Sequence, residues 1–512
     1  LKKPPLYAWC TTLLAQAVGR FDEQIARLPS AVAGTFLVLL LYAVGEAGLG
    51  RGAGFPTAAL TLANLTVVDY ATRAELDLGF SVLTTVSILL AYPALHRRGV
   101  TRFACWLACY LAVTLAALWK GPHSLIFLWA PLVAYGWRRR HWSWLWHPGQ
   151  LVGLLLSLGV LVGWTVTLSG HAGARTVGKM AVIELVSRLI PLSFGDLLSV
   201  LYVVPIMFVV ILPASLFVVA GFRAGVVYEA DDRPADRSPR AVARFCVDRF
   251  RRWWSALAAK PFTEFLLYWL GANLVWCAVV PAKSPRYWLP MFAPALLLAG
   301  DLLRRQGAGL IGRVGRRHVE DAWRIIYGAI GVVGLAGLIL ALVMTVSPDL
   351  SIGGYSVGPS WAWLALGLGW VLAAALGFGR WINTSTARRC LGLIVVALAA
   401  KPVSQAVWWT GRAQSDSQRR SAQRIDELVP PGQPVFVLGT HEFHDVAFYC
   451  RRRFDWIDHP AQVGEYTDAA EAYCLLRTED LAERVTDHGI APETLFEFIR
   501  ADHQLVLIRI DR

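Results

Sequence analysis

The chain has 512 residues, of which 56% are apolar and only 17% charged, with a mean hydropathy of +0.48. A soluble domain of this size carries about a quarter charged residues, so water-soluble globular and disordered proteins are excluded. The net charge of +13 would suggest nucleic acid in a soluble protein. In a membrane protein it marks basic cytoplasmic loops, and the 22 Trp suit the membrane–water interface.

In chain order, the apolar run Leu6–Gly19 is too short to span and reads as an interfacial or re-entrant helix. About twelve spans follow, near 28–49, 54–70, 75–95, 102–119, 121–137, 145–168, 196–221, 262–282, 285–304, 322–346, 359–379 and 389–409. Between them, Arg97, Arg98 and Arg102 share one short loop, and Arg138, Arg139 and Arg140 another. Segments 222–261, 304–317 and 380–389 are also Arg-rich. All of these fall on one side of the alternating topology, which should be the cytoplasm. Loop 347–358, on the other side, has no Lys or Arg. Both termini are then outside.

The chain changes character after the last span. Residues 1–411 read as the multi-span membrane domain and 412–512 as a small extracytoplasmic α/β domain. Strand-like runs lie at Val435–Leu438, Tyr473–Leu476 and Leu505–Ile510, with helices at Arg419–Leu428 and Glu479–His488. Cys450 and Cys474 both lie here and could pair. No CxxC occurs, so neither a metal knuckle nor a disulfide framework is indicated.

Three motifs share one design: Lys2-Lys3-Pro4-Pro5, Lys120-Gly121-Pro122 and Lys283-Ser284-Pro285-Arg286. Each sits where an apolar helix is expected to begin, with Pro at a position that needs no amide hydrogen. A helix N-terminus attracts anions, and an added Lys or Arg makes a stronger phosphate site. All three fall on the outer side, which points to one electropositive pocket there. The bland alternative is Lys snorkelling to the headgroups. Lys401, deeper in the last span, fits that alternative better.

Glu75 and Asp77 open the span at 75–95, also on the outer side, just after Arg73. An ionisable residue at a span end is a functional candidate. A carboxylate at a helix N-terminus is the structural alternative. Glu184 and Arg188, four apart in outer loop 169–195, are either a surface ion pair or substrate contacts. Gly48–Gly54 follows no strand, so a nucleotide loop is not expected. His441-Glu442-Phe443-His444-Asp445 lacks zincin spacing and reads as the start of a surface helix. Asn64-Leu65-Thr66 matches the glycosylation pattern but lies in a span.

On these residues the chain resembles a known family. Lys3-Pro4-Pro5-Leu6-Tyr7 and Arg27-Leu28-Pro29-Ser30-Ala31 look like the opening of polyprenyl-phosphate-dependent glycosyltransferases of the GT-C fold. Relatives are the lipid A aminoarabinose transferase and the protein O-mannosyltransferases. Arg73-Ala74-Glu75-Leu76-Asp77, Lys120-Gly121-Pro122 and Lys283-Ser284-Pro285-Arg286-Tyr287-Trp288-Leu289-Pro290 agree in order and spacing. The resemblance implies an inverting sugar transfer at the outer face of the cytoplasmic membrane. The donor would be a sugar on a polyprenyl phosphate, and the acceptor a hydroxyl of a lipid, glycan or protein. Lys3 is the nearest match for phosphate binding, with Lys283 and Arg286 as helpers, and Asp77 matches the second acidic position. The family's principal acid lies upstream of the Lys-Pro-Pro motif. This chain, opening at Leu1, is expected to lack that loop and the first span. No metal, cofactor or nucleic acid is implied. Two other classes compete: a multi-span transporter or lipid flippase, and a non-catalytic scaffold whose tail binds a partner. Neither accounts for Lys-Pro motifs gathered on one face.

Overall fold

The computed structural model describes residues 4–172, 200–224, 260–279, 284–347, 360–378, 385–410 and 413–438, most of 444–511, and isolated positions between. It separates into two compact units. One holds residues 1–339 and 364–401; the other holds 340–363 and 402–512.

The first unit is helical. Its helices are α1 (Leu6–Val18), α2 (Glu23–Val44), α3 (Gly54–Ala63), α4 (Leu65–Ala71), α5 (Leu76–His96), α6 (Gly99–Trp119), α7 (Ser124–Arg139), α8 (Pro148–Ala172), α9 (Val200–Val210), α10 (Ala214–Ala224), α11 (Pro261–Val279), α12 (Phe292–Gly307), α13 (Arg313–Val346), α14 (Ser360–Phe378) and α15 (Thr386–Thr410). Helices α13, α14 and α15 extend past the unit's limits.

Helix α1 ends at Gly19, which takes the left-handed conformation open to glycine at no steric cost. Asp22 starts α2 by accepting the Ile25 amide at 3.0 Å. Helix α5 is the centre of the unit and packs against α2, α6, α7 and a 3₁₀ segment, Pro285–Met291. A side chain at Gly79 would collide with the Trp119 indole, so glycine there lets α5 and α6 meet closely. Other helices turn large apolar side chains outward, among them Leu39, Leu155, Leu335 and Leu342. In water such a surface would aggregate; against lipid it costs nothing.

Among the described residues, six helices are long and apolar enough to cross a membrane: those at 23–49, 76–96, 99–119, 148–170, 261–279 and 315–346. A seventh counts if one bent pair is a single span. The expected twelve spans are therefore not twelve uniform helices. The expected span 54–70 is α3 and α4, broken at Asn64. The expected span 196–221 is α9 and α10, bent by 117°. One side chain serves both breaks. Asn64 accepts the Val67 amide to cap α4 and donates to the Val210 and Leu212 carbonyls, which the second break leaves free. Asn64 is therefore a buried structural residue rather than an acceptor for glycans. The expected span 285–304 opens as the 3₁₀ segment and becomes α-helical only at Phe292.

The Gly-rich loop after α2 also has a structural account. The Glu46 carboxylate accepts the Gly52 and Gly54 amides, so those amides are occupied by the protein itself.

The second unit is built on a mixed sheet. After a small pair, β1 (Ser351–Ile352) and β2 (Tyr355–Ser356), come α16 (Ala413–Leu428), β3 (Val435–Leu438), α17 (His444–Tyr449), β4 (Phe454–Ile457), β5 (Glu471–Arg477), β6 (Glu493–Arg500) and β7 (His503–Asp511). Sheet order is β4-β3-β5-β7-β6. The β3 strand pairs in parallel with β4 and β5, while β7 pairs antiparallel with β5 and β6. Of the expected helix at 479–488, the described residues form one turn, Leu481–Arg484, after a 3₁₀ turn, and 487–488 lie outside the described residues.

Two apolar clusters cover the two sheet faces. One holds Val435, Val437, Tyr473 and Leu475 with Cys450; the other holds Phe436, Leu438, Leu476 and Cys474. Successive strand residues point to opposite faces. Cys450 and Cys474 therefore lie on opposite sides of the sheet, and both are free thiols. The suggested disulfide is corrected on that ground. Burial pushes each thiol up to about 12.

Candidate active site

The site lies where α5 begins, α6 ends and the 3₁₀ segment Pro285–Met291 crosses. Asp77 is in the first turn of α5 and is buried. Its carboxylate forms an ion pair with the ammonium of Lys120, also buried. Lys120 closes α6: its amide donates to the Ala116 carbonyl at 3.1 Å. Helix α7 begins only at Ser124, whose hydroxyl donates to the Val113 carbonyl at 3.1 Å. The expectation that Lys120 opens a helix is thus corrected. It projects from a helix C-terminus, and the carboxylate at the start of α5 holds it.

Aromatic rings surround the ammonium. Lys120 Nζ lies 4.4 Å from the Tyr287 ring centroid and 5.3 Å from that of Phe80. Both distances are within cation–π range. Tyr287 follows Arg286 in the 3₁₀ segment, where Pro285 takes the first position as expected. The next residues, Trp288 to Met291, are buried and pin the segment. The Arg286 guanidinium stacks 5.4 Å from the Tyr287 ring centroid. Tyr287 thus contacts both cations.

Glu75 precedes the first residue of α5. Its backbone carbonyl accepts the Ser30 hydroxyl at 2.9 Å, which ties α2 to this turn. Arg73 grips Asp69 through Nε at 3.0 Å and Nη2 at 2.6 Å, and reaches Glu75 Oε1 at 3.6 Å. Burial raises the Glu75 carboxyl above the usual glutamate range, and the nearby Asp77 charge adds to the rise. Arg73 and Arg286 pull it back in part. The Lys401 ammonium donates to Thr72 Oγ1 at 2.5 Å in the same loop. Lys401 is therefore fixed to this region, contrary to simple snorkelling. Tyr7 adds a wall: its hydroxyl donates to the Ala26 carbonyl at 2.7 Å, and its ring meets Trp119 edge-on.

The structure thus brings together Glu75, Asp77, Lys120 and Arg286. Lys3, Lys283, Glu184 and Arg188 lie outside the described residues. Tyr287, Phe80, Ser30 and Tyr7 join the site through contacts that their residue types alone do not announce. Tyr287 stood inside a recognised motif, yet nothing in a sequence says which ring meets which cation.

Residues 2–166, about a third of the chain, match the model of the dolichyl-phosphate-mannose-protein mannosyltransferase family. A search of curated proteins gave no match. Among solved structures, ArnT from Cupriavidus metallidurans in the apo state aligns at 18% identity with a TM-score of 0.62. That alignment covers 99% of this chain and 87% of ArnT. The fold is ArnT-like. The same enzyme bound to undecaprenyl phosphate aligns at a TM-score of 0.64, again at 18% identity, over 99% of this chain and 88% of that one. These findings bear out the resemblance to polyprenyl-phosphate-dependent GT-C glycosyltransferases, and with it the helical membrane fold carrying a small C-terminal sheet domain. Every described residue of the cluster drawn from α1 to α6 lies inside the stretch the family model matches; Arg286, Tyr287 and Lys401 lie beyond it.

Proposed function

We propose that the chain is an inverting membrane glycosyltransferase that moves a sugar from a polyprenyl-phosphate donor to an acceptor hydroxyl. One observation carries the reading: in an ArnT-like fold, Glu75, Asp77, Lys120 and Arg286 converge on one end of the central helix α5. Arg97, Arg98, Arg102 and Arg139 lie at the opposite end of α5, so the positive-inside rule supports an outer position for the site. On this reading the protein spans the cytoplasmic membrane and works at its outer face.

The acceptor oxygen attacks the anomeric carbon from the side opposite the phosphate. The bond from that carbon to the phosphate oxygen breaks, and the bonding pair leaves with the lipid phosphate. Inversion follows from this single displacement. Two needs remain. The acceptor must lose a proton, and charge developing on the phosphate must be stabilised. Lys120 and Arg286 are suited to the phosphate, the guanidinium as a fork and the ammonium as a point charge. Lys3 and Lys283 are assigned to the same phosphate on their motifs. Glu75 is the carboxylate assigned to the proton, because its raised pKa makes it a more avid base than an ordinary glutamate. Asp77 is assigned to holding Lys120 in position. The acceptor is a hydroxyl of a lipid, glycan or protein.

The test uses the purified full chain with a radiolabelled polyprenyl-phosphate sugar and a panel of such acceptors. The expected result is labelled acceptor and released polyprenyl phosphate, lost in Lys120→Ala and Arg286→Ala variants that still fold. Movement of the labelled lipid across proteoliposomes without cleavage of the sugar would overturn it in favour of a flippase.

A further inference from the structure

A second charged site lies at the other end of α5. A cavity of about 460 Å³ opens between the end of α5, the start of α6, the end of α7 and the start of α11. Arg97, Arg98, Arg102, Arg139, His96 and His141 line it. None of the described residues that line it is acidic. The one nearby carboxylate shown, Glu264, is shared by Arg138 and Arg139, so it offsets a single charge. Arg102 is held in place by a 3.1 Å bond from Nε to the Ala94 carbonyl. That bond leaves its Nη2 buried without a hydrogen-bond partner. A buried guanidinium nitrogen with no acceptor is costly, and native structures rarely leave one unmet. Among the cavity's several guanidiniums, an anion would satisfy it while also balancing their charge.

The surroundings point to the kind of anion. Trp137 and Trp146 are 75% and 78% exposed, and Trp142 is also exposed. Exposed Trp at the end of a membrane bundle marks the headgroup level. Leu95 and Pro261 form apolar parts of the wall, and Val133 on α7 and Val100 on α6 are open to the surroundings. A ligand here meets arginines at its head and apolar helix surface along its tail. Basic pockets between helices at the headgroup level suit anionic lipids.

We infer that this cavity binds the phosphate headgroup of an anionic membrane phospholipid. The guanidinium forks take the phosphate oxygens, with Arg102 as the half-buried anchor and Arg97 and Arg98 as the open rim. The acyl chains lie against the exposed apolar faces of α6 and α7. The site is separate from the Asp77–Lys120 cluster and does not depend on the transfer reaction proposed above.

The experiment is native mass spectrometry of the purified full chain in detergent, with phosphatidylglycerol, phosphatidylcholine or inorganic phosphate added. The wild type should retain phosphatidylglycerol at least about tenfold better than phosphatidylcholine, and inorganic phosphate should not displace it. Each arginine removed should weaken that preference by about fivefold. The double variant Arg97→Gln/Arg98→Gln changes two exposed side chains and leaves the buried pairs intact. Arg102→Gln tests the anchor, and Arg324→Gln, outside the cavity, should change nothing. Equal retention of the two lipids by the wild type would overturn the inference. So would an unchanged preference in the Arg97→Gln/Arg98→Gln variant. Displacement of the lipid by millimolar inorganic phosphate would overturn the lipid assignment in favour of a free-phosphate site.

Discussion

Glu264 and Asp77 are both buried carboxylates in the first turn of a membrane helix, α11 and α5 respectively. Glu264 is clamped by two guanidiniums, Arg138 at 3.2 Å and Arg139. Asp301 on α12 has the same arrangement with Arg304 and Arg305. Asp77 instead has a single ammonium, and that ammonium is shared with two aromatic rings. Arginine gives a rigid, many-donor clamp, whereas lysine gives a mobile point charge. The first arrangement suits a fixed structural junction. The second suits a cation that must also meet a ligand. The difference teaches that burial of a carboxylate does not by itself mark a site in this fold; the kind and number of its cations do.

The largest effect is expected at Glu264. Glu264→Gln leaves two arginines without their shared carboxylate. Losing one partner of a buried pair costs about 3–5 kcal/mol. The Arg138 and Arg139 side chains are 24% and 31% exposed, so water recovers part of that and the low end, about 3 kcal/mol, is expected. Thermal unfolding of the purified protein in detergent measures it. A variant as stable as the wild type would remove the structural half of the comparison.

Glu75→Gln should lower turnover by about 100-fold, the lower end of what a positioned base contributes. The sign of the pH dependence follows from the raised carboxyl. The base form is needed, so kcat/KM rises with pH through the folded pKa, above the ordinary glutamate range. Glu75→Gln flattens that limb. The same shift makes the charged form unfavourable in the folded state. Its contribution to stability is therefore present at low pH and is lost as pH rises through the folded pKa. A limb that persists in Glu75→Gln would move the base elsewhere.

How far the sequence reads ahead of the structure differs by element. In the sheet, the three expected runs are β3, β5 and β7, the interior strands. They are apolar on both faces, so composition alone reveals them. The two strands left unread, Phe454–Ile457 and Glu493–Arg500, are the two edges. Edges carry charge and exposure, which blurs them into loop. In the membrane unit the hydropathy signal is strong, but it does not register a break such as Asn64, because a capped kink leaves composition unchanged. In the site, the blocks around Lys120 and Arg286 are legible as motifs. The pairing of Asp77 with Lys120 joins residues 43 apart and depends on how α5 and α6 pack, with Gly79 against Trp119. No periodicity encodes that contact.

Asp77→Asn separates the two kinds of carboxylate directly. If Asp77 holds Lys120 in position, kcat/KM falls roughly tenfold, about the worth of one charge-assisted hydrogen bond. The acidic limb set by Glu75 should remain, because the base is still present. Stability should fall less than in Glu264→Gln, since the ammonium keeps its contacts with Tyr287 and Phe80. Loss of the limb in Asp77→Asn would make Asp77 the base and would reverse the assignment of the two acids.

The smallest effect fixes the baseline. Asp321 pairs with Arg324 at 3.2 Å, three residues on along α13, and both side chains are more than half exposed. Water screens such a pair, and ordering two long side chains offsets most of the attraction. Asp321→Asn should change stability by at most about 0.5 kcal/mol and leave kcat/KM unaltered. A larger loss would mean that charge deletion anywhere in this basic protein is destabilising. The effect at Glu264 would then reflect net charge rather than its buried clamp, and the contrast with Asp77 would lose its meaning.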